Sequence, residues 1–409
     1  MSLTSQDSIA TDNDMIEGSP PSNHDVCSLP SARWPAVISL SLGVFGLVTA
    51  EFLPASLLTP MAADLHISTG SAGQSVTATA LMASISAPSI SVVTRRLDRK
   101  TVMLGLTLLL ILSNTMAATA GSLAALLISR VLLGVALGGF WSMAAALALR
   151  LVPQNFFARA MSVILTGVSV ATVCAAPIGA WMGALWGWRS AFAAAAGMSV
   201  LTLIAQVRTL PALPPRENVS VSEFGKLLGS PSVRVALLAV LLIIAGHFAG
   251  FTYIRPFMEE VPHLSVGAIS AILLGYGVGG FFGNIAGGFV AERSERVAIV
   301  SGGTVIALAA VALVLAGSSS AVTAVAVVAW GFAFAAFPVS FQTWMARAAP
   351  DKAEGAGSLL VAAFQIAIAS GAIVGGLLID HLGALGGPGF AAVALALGTM
   401  ITLRYGPRP

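Results

Sequence analysis

Residues 35–58 read PAVISLSLGVFGLVTAEFLPASLL, a run whose only charged member is Glu51. A helix needs about 20 apolar residues to cross the hydrocarbon of a bilayer. This run is apolar on every side, not along one stripe, so it needs lipid or protein all around it. Similar runs lie near 71–93, 101–120, 124–149, 158–182, 188–207, 233–255, 265–290, 297–316, 321–346, 355–379 and 388–405. Over all 409 residues, 57% are apolar and 9% charged. A soluble domain carries about 25% charge. With a mean hydropathy of +0.92, the chain is neither a soluble enzyme nor a disordered scaffold. The expectation is an all-α membrane protein of twelve transmembrane helices.

The polar breaks organise these runs. Residues 1–32 hold five acids and no Lys or Arg, and are rich in Ser and Pro, which predicts a disordered tail. They lack the basic start and apolar core of a secretory signal. The longest internal loop, 208–232, carries Pro211, Pro214, Pro215, Arg208, Arg216 and Lys226 and reads as a linker. It separates an N-terminal six-helix bundle (33–207) from a C-terminal one (233–409). Placing both termini in the cytoplasm puts 17 of the 20 Lys and Arg residues on the inner side, leaving Arg130, Arg189 and Arg255 at outer span ends. The opposite orientation inverts that ratio, against the excess of positive charge on cytoplasmic loops.

The two bundles repeat. Glu51 and Pro60 stand nine apart, as do His247 and Pro256, at an offset of 196. Gly134, Arg150 and Pro153 recur as Gly331, Arg347 and Pro350 at an offset of 197. TRRLDRK (94–100) is matched by AERSER (291–296). Two six-helix repeats with a central site are the plan of the major facilitator fold.

At this point the chain resembles a known family. Gly288, Glu292, Arg293 and Arg296 are similar to the cytoplasmic loop motif of the major facilitator superfamily, a Gly followed by an acid, an Arg and further basic residues. In the first copy Ile90 and Thr94 replace the Gly and the acid, while Arg95, Asp98, Arg99 and Lys100 remain. Arg130 with Gly134 and Gly138 resembles the span-four motif of proton-coupled members, and Ala176-Pro177-Ile178-Gly179 the antiporter motif of the drug:proton branch. Longer strings, EFLPASLLTPMA (51–62), AGQSVT (72–77), GGFWSM (138–143), RLVP (150–153), GWR (187–189) and FTYIRP (251–256), resemble the bacterial exporters of purine ribonucleosides. The resemblance implies proton-driven antiport of nucleosides such as inosine and guanosine out of the cytoplasm, through the inner membrane, by a monomer without a cofactor. Drug or sugar efflux is the alternative within the superfamily.

The residues themselves nominate a site. Of 17 acids, Glu51 alone sits deep in an apolar run. A charge there costs about 2.5–3.5 kcal/mol on insertion scales, so such a group has a task or a partner. Loss of water favours a neutral carboxyl, which makes Glu51 the candidate proton carrier. His247 is its repeat-related counterpart, and Arg130 a candidate bridge to a carboxylate or to nearby carbonyls. Arg130, Gly134 and Trp141 share one helix face within about 40°. Candidate substrate residues are Trp141, Tyr253, Tyr276, Asn284, Trp330, Phe334, Gln342 and Gln365. Purines stack on aromatic faces, and the amides and His247 offer neutral hydrogen bonds. The spacing of Trp330, Phe334, Phe337, Phe341 and Trp344 fits a packed core stripe as well as a stacking face, with Pro338 kinking that span. Gly275, Gly279, Gly283 and Gly287 read as a packing stripe.

A single carboxylate without a Lys or Arg cluster suits a neutral solute and not a phosphorylated one. No GxxxxGK[ST], HExxH, CxxC or GxSxG occurs, so ATP-driven transport, a metal centre and serine hydrolysis are not expected. The basic loops are short and lack interleaved aromatics, so nucleic acid is not an expected partner.

Overall fold

The computed structural model describes residues 33–94, 96–153, 156–214, 227–349 and 353–407. The tail, Arg95 and residues 215–226 of the 208–232 linker lie outside them. Six helices form the first half: α1 (Trp34–Leu65), α2 (Thr69–Val93), α3 (Arg99–Ala118), α4 (Leu123–Leu151), α5 (Phe157–Trp186) and α6 (Trp188–Thr209). The second half comprises α7 (Pro231–Phe251), α8 (Ile254–Glu260), α9 (Val266–Arg293), α10 (Glu295–Ala316), α11 (Ser320–Phe334), α12 (Phe337–Ala348), α13 (Ala353–Leu382) and α14 (Gly386–Tyr405).

Among the described residues, eleven candidate spans are long and apolar enough to cross a membrane, with α11 and α12 together making one. The twelfth, α2, carries nine Ser and Thr among its 25 residues. It nonetheless packs between α4 of its own half and α13 of the other.

The expected single helix over 321–346 is two helices, broken at Ala335 and Ala336. Pro338 has no N–H to return to the carbonyl of Phe334, so the ladder fails there. Span seven breaks likewise at Thr252-Tyr253, four residues before Pro256.

The repeat is visible in the backbone. His66 and His263, 197 apart, both take the left-handed region at φ 53° in the connection that follows a helix. Gly187 and Gly383, 196 apart, turn the chain at φ 79° and 76°. Ser68 and Ser265 each cap the following helix through Oγ, as Asp98 and Ser294 do one span later.

Glycine sets the closest packing. A Cβ on Gly134 or Gly138 would run into the α2 backbone at Thr79 and Ala83, and one on Gly179 would meet Leu53 and Ser56 of α1. The predicted α9 stripe packs as expected, on Val328, Phe332 and Ala336.

The halves meet through α2 on α13, α5 on α9 and α1 on α8. Side-chain hydrogen bonds link the halves at the end of the molecule opposite the described N- and C-terminal residues, here termed the loop end. Tyr253 fills that seam, its hydroxyl donating within its own half to the Ala372 carbonyl at 2.8 Å. It lies over Gly73 and Gly376, where no larger side chain fits.

Candidate functional site

α1 carries the site because its prolines leave backbone acceptors unfilled. Pro54 cannot donate to the carbonyl of Ala50. Arg130 of α4, fully buried, supplies that bond instead, with Nη1 3.2 Å from Ala50 O. Its guanidinium also lies over the Phe192 ring at 4.8 Å. Arg130 therefore bridges to a carbonyl, the second of its two expected partners, and leaves Nη2 unbonded.

Glu51, the next residue, is half-buried. No hydrogen bond or ion pair holds its carboxylate among the described residues. Phe52 reaches across to Phe251 of the other half, with ring centroids 5.9 Å apart. Ala55, one turn further, belongs to the apolar cluster shared by both halves. Glu51 thus lies at the margin of the seam between the halves.

The second half contributes a stack of rings. His247 lies between Phe334, at 3.6 Å and 8°, and Phe251, at 5.4 Å and 13°. Phe251 in turn stacks on Tyr276 at 4.5 Å. Trp330 Nε1 donates to His247 Nδ1 at 2.8 Å. A neutral ring that accepts at Nδ1 carries its proton on Nε2. His247 Nε2, the Tyr276 hydroxyl and Gln365 Oε1 are buried without a protein partner. Buried polar atoms are normally bonded, and these three are among six in this half that lack a protein partner among the described residues.

The remaining expected residues divide. Trp141 is half-buried and packs edge-on to Phe140. Asn284 and Gln342 are exposed. Asn284 shares the α9 face of Gly277, which lies against Thr172 and Val173 of α5. Phe337, Phe341 and Trp344 are buried core, each ring in contact with the next. Tyr253 is committed to the seam, away from the ring stack.

The loop motifs also resolve. Asp98 caps α3 through the Lys100 N–H at 2.7 Å and holds the Leu213 N–H at 2.8 Å, pinning the start of the linker. Arg99 bonds Thr94 Oγ1 at 3.1 Å. In the second copy Arg347 pairs with Glu295, not with the Glu292 carboxylate, and reaches only the Glu292 carbonyl. Arg293 borders a shallow surface pocket with Phe289 and Val297. Pro177 lies within α5, where it leaves the carbonyl of Val173 without its helical donor, at the crossing with Gly277. Arg255, Glu259 and Asp380 do not stand out in the sequence; at span ends they read as interfacial charges.

A helical, twin-repeat membrane fold with an unpaired carboxyl group at the margin between its halves is the architecture of a secondary transporter. The family model for the Major Facilitator Superfamily matches residues 40–360 and 263–409, and the chain belongs to that superfamily. It is 41% identical over 361 residues to the purine ribonucleoside efflux pump NepI of Escherichia coli O1:K1, covering 88% of this chain and 91% of that one. The NepI of Salmonella paratyphi B is 42% identical over 369 residues, covering 90% and 92%. Among solved structures, a bacterial homologue of the human lysosomal transporter Spinster, inward-facing and unoccupied, superposes with a TM-score of 0.72. It shares 16% identity over 92% of this chain and 95% of that one. These relatives are transporters, not enzymes.

Proposed function

We propose that this protein is a proton-coupled antiporter that exports purine ribonucleosides, such as inosine and guanosine, from the bacterial cytoplasm. The observation that carries the coupling is Glu51, an unpartnered carboxyl group at the margin between two halves. A carboxylate that can meet water from either side in turn can take up and release a proton in each cycle.

The cargo reading rests on the two NepI relatives, each alike over about nine-tenths of this chain. The site's chemistry agrees with it. A purine is flat and neutral, and Phe334, the half-buried end of the Phe334–His247–Phe251–Tyr276 stack, offers an aromatic ring. His247 Nε2, the Tyr276 hydroxyl and Gln365 offer hydrogen bonds that no protein group satisfies. Base stacking on such a surface contributes roughly 1–3 kcal/mol. One observation favours a second reading: Glu51 beside aromatics suits a lipophilic cation, the cargo of a drug exporter.

In the proposed orientation both termini and the 208–232 linker face the cytoplasm, with 33–207 and 233–409 as the two moving bundles. The 17 of 20 basic residues on that side support it. The protein works as a monomer in the lipid bilayer, powered by the proton gradient alone.

Counterflow in proteoliposomes with radiolabelled inosine, a sugar and a lipophilic cation tests the reading. Exchange of inosine and guanosine is expected. Exchange of the cation alone would move the assignment to drug efflux.

A further inference from the structure

We propose that Arg255 and Glu259 of α8 and Asp380 of α13 form the gate that holds the loop end of this transporter shut, and that Pro60 supplies the acceptor on which it closes. This rests on the transporter reading but not on the cargo.

The gate follows from a missing N–H. Pro60 cannot donate to the carbonyl of Ser56, one turn back in α1. That carbonyl is filled from the other half: Arg255 Nη1 donates to Ser56 O. The same guanidinium bonds Glu259 through Nε at 2.8 Å, with Arg255 only 6% exposed. The second oxygen of Glu259 accepts from Thr59 of α1. One ion pair therefore grips α1 on both sides of a single turn, at a backbone atom and a hydroxyl.

Asp380 makes a second grip. Its Oδ1 accepts from the Gly70 N–H at 3.0 Å and its Oδ2 from Ser68 Oγ at 2.8 Å. A carboxylate on unfilled N–H groups at a helix start is favourable in bond and in dipole. Here the carboxylate comes from α13 and the helix start from α2, so the cap exists only while the halves touch.

The terminal end differs. Asp98 with Lys100 and Leu213, Arg99 with Thr94, Arg347 with Glu295, and Arg296 with Leu403 each bond within one half. The side-chain hydrogen bonds that join the halves through Arg255, Glu259 and Asp380 all lie at the loop end. Parting the halves there would bring water to the Ser56 carbonyl, Arg255 and Asp380. The grip is therefore reversible, as a gate must be.

The Pro60 element gives a specific test. The background is Cys27→Ser with Cys174→Ser, the only two cysteines. Spin labels at Gly121→Cys and Ser318→Cys, both exposed at the loop end of opposite halves, report its opening by electron double resonance in nanodiscs. Arg255→Ala is expected to raise the ratio of long to short distances about tenfold. Pro60→Ala is expected to act alike, because the N–H it restores returns the Ser56 carbonyl to its own helix. The two together should open the gate no further than either alone, since both remove one bond. Asp380→Asn and Glu259→Gln, which keep volume, should shift the distances the same way and remain readable if Arg255→Ala fails to elute as a single species. Distances unchanged in Arg255→Ala or, where that variant does not fold, in both Asp380→Asn and Glu259→Gln would overturn the proposal. Full additivity of Pro60→Ala with Arg255→Ala would overturn the role of Pro60. No substrate enters the measurement, so a wrong cargo leaves its outcome intact.

Discussion

At the residue scale, two prolines of α1 explain two buried arginines. Pro54 frees Ala50 O for Arg130, and Pro60 frees Ser56 O for Arg255. Removing Arg130 strands a buried acceptor, which costs about 1–3 kcal/mol. We therefore expect Arg130→Met to lower the melting temperature of the purified protein, and to lower it much less in a Pro54→Ala background, where the restored N–H bonds Ala50 O. Equal losses in both backgrounds would separate Arg130 from Pro54. Trp330→Phe keeps the stack but removes the donor to His247 Nδ1. The expected outcome in vesicle uptake is a KM for inosine raised several-fold with little change in kcat; an unchanged KM would take the Trp330–His247 pair out of the site. Glu51 and His247 were legible in the sequence as polar residues in apolar runs. The bond partners of His247 and Arg130 were not, because they come from helices 83 and 80 residues away.

At the element scale, apolar run length revealed the spans, and Pro338 marked its own break. The break in span seven had a signal too, in Pro256, but the apolar run continues past it and hides the change of direction. α2 was legible as the apolar run 71–93, in spite of its Ser and Thr residues. α1 and α5 approach through Gly179, with a Cβ there 2.7 Å from Leu53 and 2.8 Å from Ser56 Oγ. Overpacking such a contact costs about 1–3 kcal/mol. Gly179→Leu should thus lower thermal stability in detergent. A variant as stable as the parent would show that α5 can move off α1 without loss. Pro338→Ala is expected to join α11 to α12 and slow transport while leaving the folded yield unchanged; parental rates would show that the break has no role.

At the scale of the whole molecule, the duplication read from offsets of 196 and 197 reappears as paired backbone conformations at His66 and His263, and at Gly187 and Gly383. Such pairing is a property of backbone geometry and survives where side chains have diverged. Which end is closed was not legible, since the Asp380, Arg255 and Glu259 contacts join residues about 200 to 310 positions apart. The central claim is that outward nucleoside movement is tied to proton entry through Glu51. The most direct measurement is inosine flux in inside-out vesicles with an imposed pH gradient. With the lumen acidic, the account predicts that labelled inosine accumulates inside the vesicles. The accumulation should collapse with a protonophore and be absent in Glu51→Gln, although that variant still exchanges inosine in counterflow. Undiminished uphill accumulation by Glu51→Gln, or inosine flux that ignores the gradient, would contradict it.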